Sequence, residues 1–259
     1  MTQRTNITDI LCIGCQKGST SWLHSVLACH PDTYSFPNSA PVTSTDKEAH
    51  FWDWNHHRGI DWYRNLMAPP QPERRAMDFT PEYAFLPDHK IAECKALNPT
   101  AKVIYILRDP LARAVSALKM HMLWRFGREH DQPLRLDDTF FELIKKARLD
   151  PHGGFVRNWT NWNRHYDDIL VLNYEDFHND RAASVARVMA YLELDPARMD
   201  ANQRARLDGL MQRRVWESAP FAIDRSVLLF LHGYTWRTRD AVADAFGMTF
   251  SEGAELLEG

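Results

Sequence analysis

The sequence predicts an α/β fold, a parallel sheet flanked by helices, forming a single domain over residues 1–259. Three observations carry this. DILCIG at 9–14, KVIYIL at 102–107 and DILVLN at 168–173 are short apolar runs with the length and β-branched content of buried strands. A segment with helical spacing of apolar residues comes after each run, and strands alternating with helices imply parallel pairing through right-handed crossovers. No repeat, low-complexity tract or linker divides the chain, whose 259 residues suit one sizeable core.

The elements follow in order. The first strand ends on Gly14 and leads into QKGSTS. WLHSVLACH then sets Trp22, Leu23, Val26 and Leu27 at helical spacing. Strand, Gly/Ser-rich turn and helix is the layout of a phosphate-binding loop. Residues 31–47, rich in Pro, Ser and Thr, read as loop, and HFWDW opens an aromatic segment. A short helix fits 61–67, a Pro-rich surface turn fits APPQPERR, and a helix fits 85–97. The second strand closes on Asp109-Pro110, and LARAVSALKMHML is a helix with Pro110 in its first turn. The third strand, DILVLNYEDF, lies between helices near 155–166 and 181–193. Further helices fit 226–233 and 238–246.

The formal net charge of -3 leaves no global positive field, so the reading includes no nucleic-acid partner and any anion site must be local. The N-terminal MTQRTNITDI lacks the apolar core of a signal peptide, and no run reaches the ~18 apolar residues that span a bilayer. The expectation is a cytoplasmic chain with no membrane partner. Cys12 and Cys15 form a C-x-x-C without a second metal pair, so they read as reduced thiols in or near the core.

Three features carry the chemistry. In the first, Gly18 lets the backbone of Gln16–Ser21 approach an anion, and the helix N-terminus favours negative charge. Lys17 adds a full positive charge, and Ser19, Thr20 and Ser21 add hydroxyl donors. The same residues also suit a plain strand-to-helix turn with an exposed Lys. In the second, Arg108 stands at a strand end where its fork can grip a phosphate, with Arg113 and Ser116 in the helix beyond. A capped helix with an Asp–Arg surface pair has the same residues. In the third, Glu48, His50 and Asp53 lie among aromatics, where an apolar surround can tune a carboxyl toward general-base work. A solvated charge cluster beside a core aromatic strip is the bland alternative.

Taken in order, these motifs resemble the sulfotransferase family over roughly residues 8 to 195. QKGSTSWLHSVLACHPD is similar to its 5′-phosphosulfate loop and KVIYILRDPLARAVSALKMH to its 3′-phosphate motif. DKEAHFWDW, FTPEYAF and GGFVRNWTNWNRHYDDILVLNYEDF resemble the heparan sulfate O-/N-sulfotransferase branch. The resemblance implies a P-loop-NTPase-like fold and 3′-phosphoadenosine 5′-phosphosulfate (PAPS) as co-substrate, with no metal. Lys17, Gly18, Ser19, Thr20 and Ser21 would then hold the 5′-phosphosulfate. Arg108 and Ser116 would hold the 3′-phosphate, Glu48 would take the acceptor proton, and His50 and Asp53 would support it.

Two departures from the family pattern stand out. Asp78-Phe79 occupies the stretch where heparan-branch relatives often carry a Lys. The usual Lys-Gly-Arg loop near the C-terminus is absent, and Arg213, Arg214 or Arg225 in QRRVWESAPFAIDRS would replace it. For the acceptor, the charge gives no support to a broad basic groove. A small molecule or carbohydrate is expected, in a pocket drawn from the nine tryptophans with His56, His57, Arg58, Trp124 and Arg125. Two other classes stay open on the residues alone. A kinase of related fold lacks its Gly-Lys-Ser/Thr order here, and a non-catalytic nucleotide-binding protein would keep the cradle without transfer.

Overall fold

A computed structural model describes residues 4–37, 47–212 and 221–258. In chain order these form β1 (Ile10–Cys12), α1 (Thr20–Leu27), β2 (Thr33–Tyr34), α2 (Ile60–Leu66), β3 (Arg75–Asp78), α3 (Asp88–Leu97), β4 (Lys102–Leu107) and α4 (Pro110–Phe126). There follow α5 (Asp138–Lys146), α6 (Leu149–Gly153), α7 (Phe155–Asn163), β5 (Ile169–Asn173), α8 (Tyr174–Asn179) and α9 (Arg181–Tyr191). The chain ends with α10 (Ala201–Gln212), α11 (Arg225–Phe246) and α12 (Glu252–Glu258).

The strands make one five-stranded sheet in the order β2-β3-β1-β4-β5, parallel throughout. Its register follows from alternation along β4, since successive strand residues face opposite sides. Val103, Tyr105 and Leu107 pack with Tyr63, Cys94 and Trp162 of α2, α3 and α7. Ile104 and Ile106 pack on the other face with Leu23 and Val26 of α1 and Val185 and Val188 of α9. A third cluster joins α4, α5 and α11 through Leu118, Phe140 and Leu231. Among the described residues no helix is long and apolar enough to cross a membrane.

Three predicted strands, the parallel pairing and helices on both faces are present. The differences have physical reasons. β2 lies inside the predicted loop 31–47, and β3 follows directly from the Pro-rich turn. Both are too short to show a period of two, and they exist because β3 pairs with β1 and β2 with β3, which satisfies their backbones. The third strand stops at Asn173, whose side chain accepts the Glu175 N–H at 3.0 Å and caps α8. The two helices expected at 226–233 and 238–246 are one, because packing on α4 and α7 carries α11 through Gly233. Helices α5, α6, α10 and α12 have no counterpart in the sequence reading.

Candidate active site

Residues 16–21 span the turn after β1 and the start of α1, at the carboxyl edge of the central strand. Lys17 (φ 69°) and Ser19 (φ 63°) adopt left-handed backbone on either side of Gly18. Such alternation turns successive N–H groups toward one side, which favours an anion. Gly18 admits no larger residue without a shift, since a Cβ there would lie 3.0 Å from both the Cys15 carbonyl and its Sγ. Burial and the Arg108 charge lower the Lys17 pKa. Cys12 and Cys15 are buried free thiols, pushed up by burial to about 12 and about 11. The core-thiol reading therefore stands.

Parallel pairing of β1 with β4 brings the second motif beside the first. Arg108 Nη1 donates to the Lys17 carbonyl at 2.9 Å, so the two turns touch. Asp109 caps α4 by accepting the N–H groups of Leu111 (2.9 Å) and Ala112 (3.0 Å). Arg113 and Ser116 are buried along α4. Arg113 donates from Nη2 to the Leu149 carbonyl at 3.0 Å. Arg108 lies against the Tyr174 ring at 4.2 Å, and its fork holds the Glu252 carboxylate, with Nε to Oε2 at 2.8 Å. Burial disfavours the Arg108 cation, but the hydrogen bonds and charge of Glu252 outweigh it and raise its pKa.

Glu48 reaches the same sheet edge by another route. Phe79 N–H donates to the Lys47 carbonyl (2.7 Å), Ala49 N–H to Asp78 Oδ1 (3.2 Å) and His50 N–H to the Thr80 hydroxyl (3.3 Å). Residues 47–50 are thereby pinned along the end of β3, the neighbour of β1. Asp78 anchors this segment from within the core, also accepting from Thr80 (2.6 Å) and from the Tyr63 and Tyr83 hydroxyls (2.9 Å each).

The charges form one network. Glu48 pairs with buried Lys47, whose Nζ also donates to the Phe79 carbonyl at 3.4 Å. His50 Nε2 lies 3.6 Å from Glu48 Oε2, and Nδ1 lies 2.9 Å from Asp53 Oδ2. Burial alone would raise Glu48, but hydrogen bonds and charge from His50 and Lys47 bring it down to about 2. Burial opposes the His50 imidazolium, yet Asp53, Glu48 and Glu82 push it up to about 9. At neutral pH the pair is therefore a carboxylate beside an imidazolium. Glu82 faces His50 at 3.9 Å and His152 at 3.7 Å, and burial raises its pKa. Burial and the charges of Arg113 and Arg148 lower His152 to about 3, leaving it neutral. Trp54 stacks on His50 at 3.7 Å with half its surface exposed.

Lys17, Arg108 and Glu48 thus sit at the ends of, or beside, three adjacent strands. The expected aromatic and basic pocket is not one cluster. His56 pairs with Glu93 and Arg58 covers Trp62, whereas Arg125 pairs with Glu142 beyond exposed Trp124 at the end of α4. His24 is buried, with Nε2 3.0 Å from the Ser35 hydroxyl. Arg213 and Arg214 lie outside the described residues. Arg225 begins α11 and donates to the Leu257 carbonyl at 3.3 Å. The sequence reading included Lys47 in the Glu48 segment without giving it a role, and it missed Glu82, His152 and Glu252. Glu82 lies in the quoted FTPEYAF, while His152 and Glu252 had no signal.

A family profile described as "Sulfotransferase domain" matches residues 7–211. A bifunctional heparan sulfate N-deacetylase/N-sulfotransferase 2 from Bos taurus is 29% identical over 208 residues, covering 73% of this chain and 22% of that protein. A heparan sulfate glucosamine 3-O-sulfotransferase 3B1 from Mus musculus is 28% identical over 191 residues, covering 73% of this chain and 46% of that protein. The chain therefore spans less than half the length of these curated relatives. A crystal structure of a sulfotransferase from Alicyclobacillus acidocaldarius superposes with TM-score 0.70 at 18% identity, covering 95% of this chain and 98% of that one. That likeness is one of fold.

Proposed function

The chain belongs to the sulfotransferase family, and on that premise we propose that it moves a sulfuryl group from PAPS to a hydroxyl or amine of a carbohydrate or small-molecule acceptor, as a single catalytic domain. The observation that carries this reading is the contact between Arg108 and the Lys17 carbonyl. It brings two cationic turns within reach of one doubly anionic nucleotide at a single sheet edge, where ligands of open α/β sheets bind. Residues of loop 16–21 would take the 5′ end, and Arg108 with Ser116 the 3′-phosphate.

In this reading the acceptor oxygen or nitrogen forms a bond to sulfur as the bond from sulfur to the bridging oxygen breaks. The acceptor proton passes to Glu48, and the electron pair leaves on the 5′-phosphate of adenosine 3′,5′-bisphosphate. Lys17 and the loop N–H groups offset that leaving charge. Lys47 and the His50 imidazolium keep Glu48 ionised and oriented, which makes them positioning residues. They also make Glu48 a weaker base, since basicity falls with pKa. Lys47 lies against the Phe79 carbonyl, so its cation serves the stretch where Asp78-Phe79 stands in place of a family Lys. The exposed Trp54 face beside His50 offers a platform for a sugar or aryl acceptor.

The deciding experiment is a thermal-shift titration with adenosine 3′,5′-bisphosphate, AMP and ATP, followed by turnover with PAPS. A bisphosphate-specific rise in melting temperature, with transfer to an acceptor, is expected. A shift with ATP and Mg²⁺ alone would favour a kinase, and bisphosphate binding without transfer to any acceptor a non-catalytic binder.

A further inference from the structure

The 3′-phosphate fork already has an intramolecular occupant. Glu252, the first residue of α12, places both carboxylate oxygens on Arg108, the fork-on-fork geometry with which an arginine grips a phosphate. The contact joins positions 144 residues apart and is built from several sides. Glu175 accepts the N–H groups of Ser251 (2.8 Å) and Glu252 (3.0 Å) and so sets the start of α12. Arg239 of α11 bridges the Asp109 carboxylate and the Phe250 carbonyl. Gly253 lies so close to Asp109 that a Cβ there would come within 2.4 Å of Oδ1. Asp109 cannot yield easily, because its carboxylate is fully buried and capped onto α4. The strap is nonetheless light. Glu252 keeps 28% of its side-chain surface exposed, and of α12 only Leu256 and Leu257 pack, partly buried, on the apolar cluster under α4.

We propose that Glu252 is an internal competitor of the donor: its carboxylate stands in for the 3′-phosphate on Arg108, and the bisphosphate nucleotide binds by displacing α12. This rests on the role given to Arg108 above. Two negative groups cannot share one fork, so the nucleotide's 3′-phosphate and Glu252 exclude each other. A nucleotide lacking that phosphate leaves the Arg108–Glu252 pair in place and gains nothing from Arg108. The apparent affinity for the bisphosphate is then reduced by the fraction of molecules with α12 docked. Release of α12 accompanies binding, and its return helps expel the product.

The test measures binding of adenosine 3′,5′-bisphosphate and AMP by calorimetry to the full chain, to Glu252→Gln and to Gly253→Ala, the last loosening α12 while keeping the carboxylate. Both variants should bind the bisphosphate about tenfold more tightly, with AMP changed less than twofold. Hydrogen exchange across residues 249–258 of the unaltered chain should speed up when bisphosphate is added. Unchanged bisphosphate affinity in both variants, or slower exchange in that segment, overturns the proposal. Arg108→Ala separates the two layers. If it keeps the preference for bisphosphate over AMP, the role of Arg108 fails. If that preference is lost while Glu252→Gln binds as the unaltered chain does, only the Glu252 inference fails.

Discussion

The two ends of the cradle are held in opposite ways. At the Glu48 end, cation, carboxylate and imidazolium come from positions 47, 48 and 50, and buried Asp78 pins their backbone. The charges there are enclosed and neighbours in sequence. At the Arg108 end, the partner arrives from 144 residues away on a seven-residue helix with little packing. Enclosed charges hold one another's protonation and geometry, because low dielectric strengthens each interaction. A pair that joins distant segments through a short, lightly packed helix opens more readily. Under the proposed function, the difference would suit a fixed reacting end and an exchangeable recognition end.

The largest expected effect breaks the reacting end. Glu48→Gln should lower kcat by about 10²–10⁴ while leaving bisphosphate binding within a few-fold, and Lys17→Ala should lower it by about 10²–10³. Steady-state kinetics with PAPS checks both, and full activity in Glu48→Gln would remove Glu48 as base. Next comes stability against pH. The folded pKa of His50 lies above its ordinary 6.5, at about 9, so its contribution is complete below pH 6.5 and disappears as pH rises through 9. Glu48 has the opposite sign: depressed from 4.5 to about 2, it stabilises above pH 4.5 and ceases to as pH falls toward 2. Chemical denaturation from pH 6 to 9.5 should show a loss on the order of 3 kcal/mol from His50, and His50→Asn should flatten that arm. A steep arm surviving in His50→Asn assigns the loss to another group.

At the recognition end, Arg108→Ala should weaken the bisphosphate by about 10- to 100-fold, the range of hydrogen bonds to a charged group, and AMP by much less. Calorimetry reads the two affinities side by side, and equal losses would take Arg108 away from the 3′-phosphate. The smallest effect sharpens the contrast. Lys47→Met should cut kcat/KM by about tenfold and move the acid limb of its pH profile upward, because Glu48 loses a cation that depresses its pKa. An acid limb that stays where it was would make Lys47 structural only.

Much of the site was legible because its pieces are local. A loop between a strand and a helix, an Arg-Asp-Pro at a strand end and a Glu-Ala-His among aromatics each carry their meaning within a few residues. The buried C-x-x-C read correctly as core thiols for the same reason. Asp78 was read only as a missing Lys, since nothing in its neighbourhood signals that Tyr63, Tyr83, Thr80 and Ala49 converge on it. His152 and Glu252 had no sequence signal because their partners lie 70 and 144 residues away.

By itself the sequence determined the strand–helix alternation, the parallel sheet and the three turns that bear charge, since hydrophobic period and turn chemistry are properties of short segments. Only the tertiary structure decided that β3 and β4 flank β1 and so bring Glu48 and Arg108 to opposite sides of Lys17. It alone decided that Asp78 and Glu82 come against the Glu48–His50 cluster and that α12 returns to cover Arg108. Those outcomes depend on strand order and long-range packing, where the gain comes from contacts between residues that no local pattern relates.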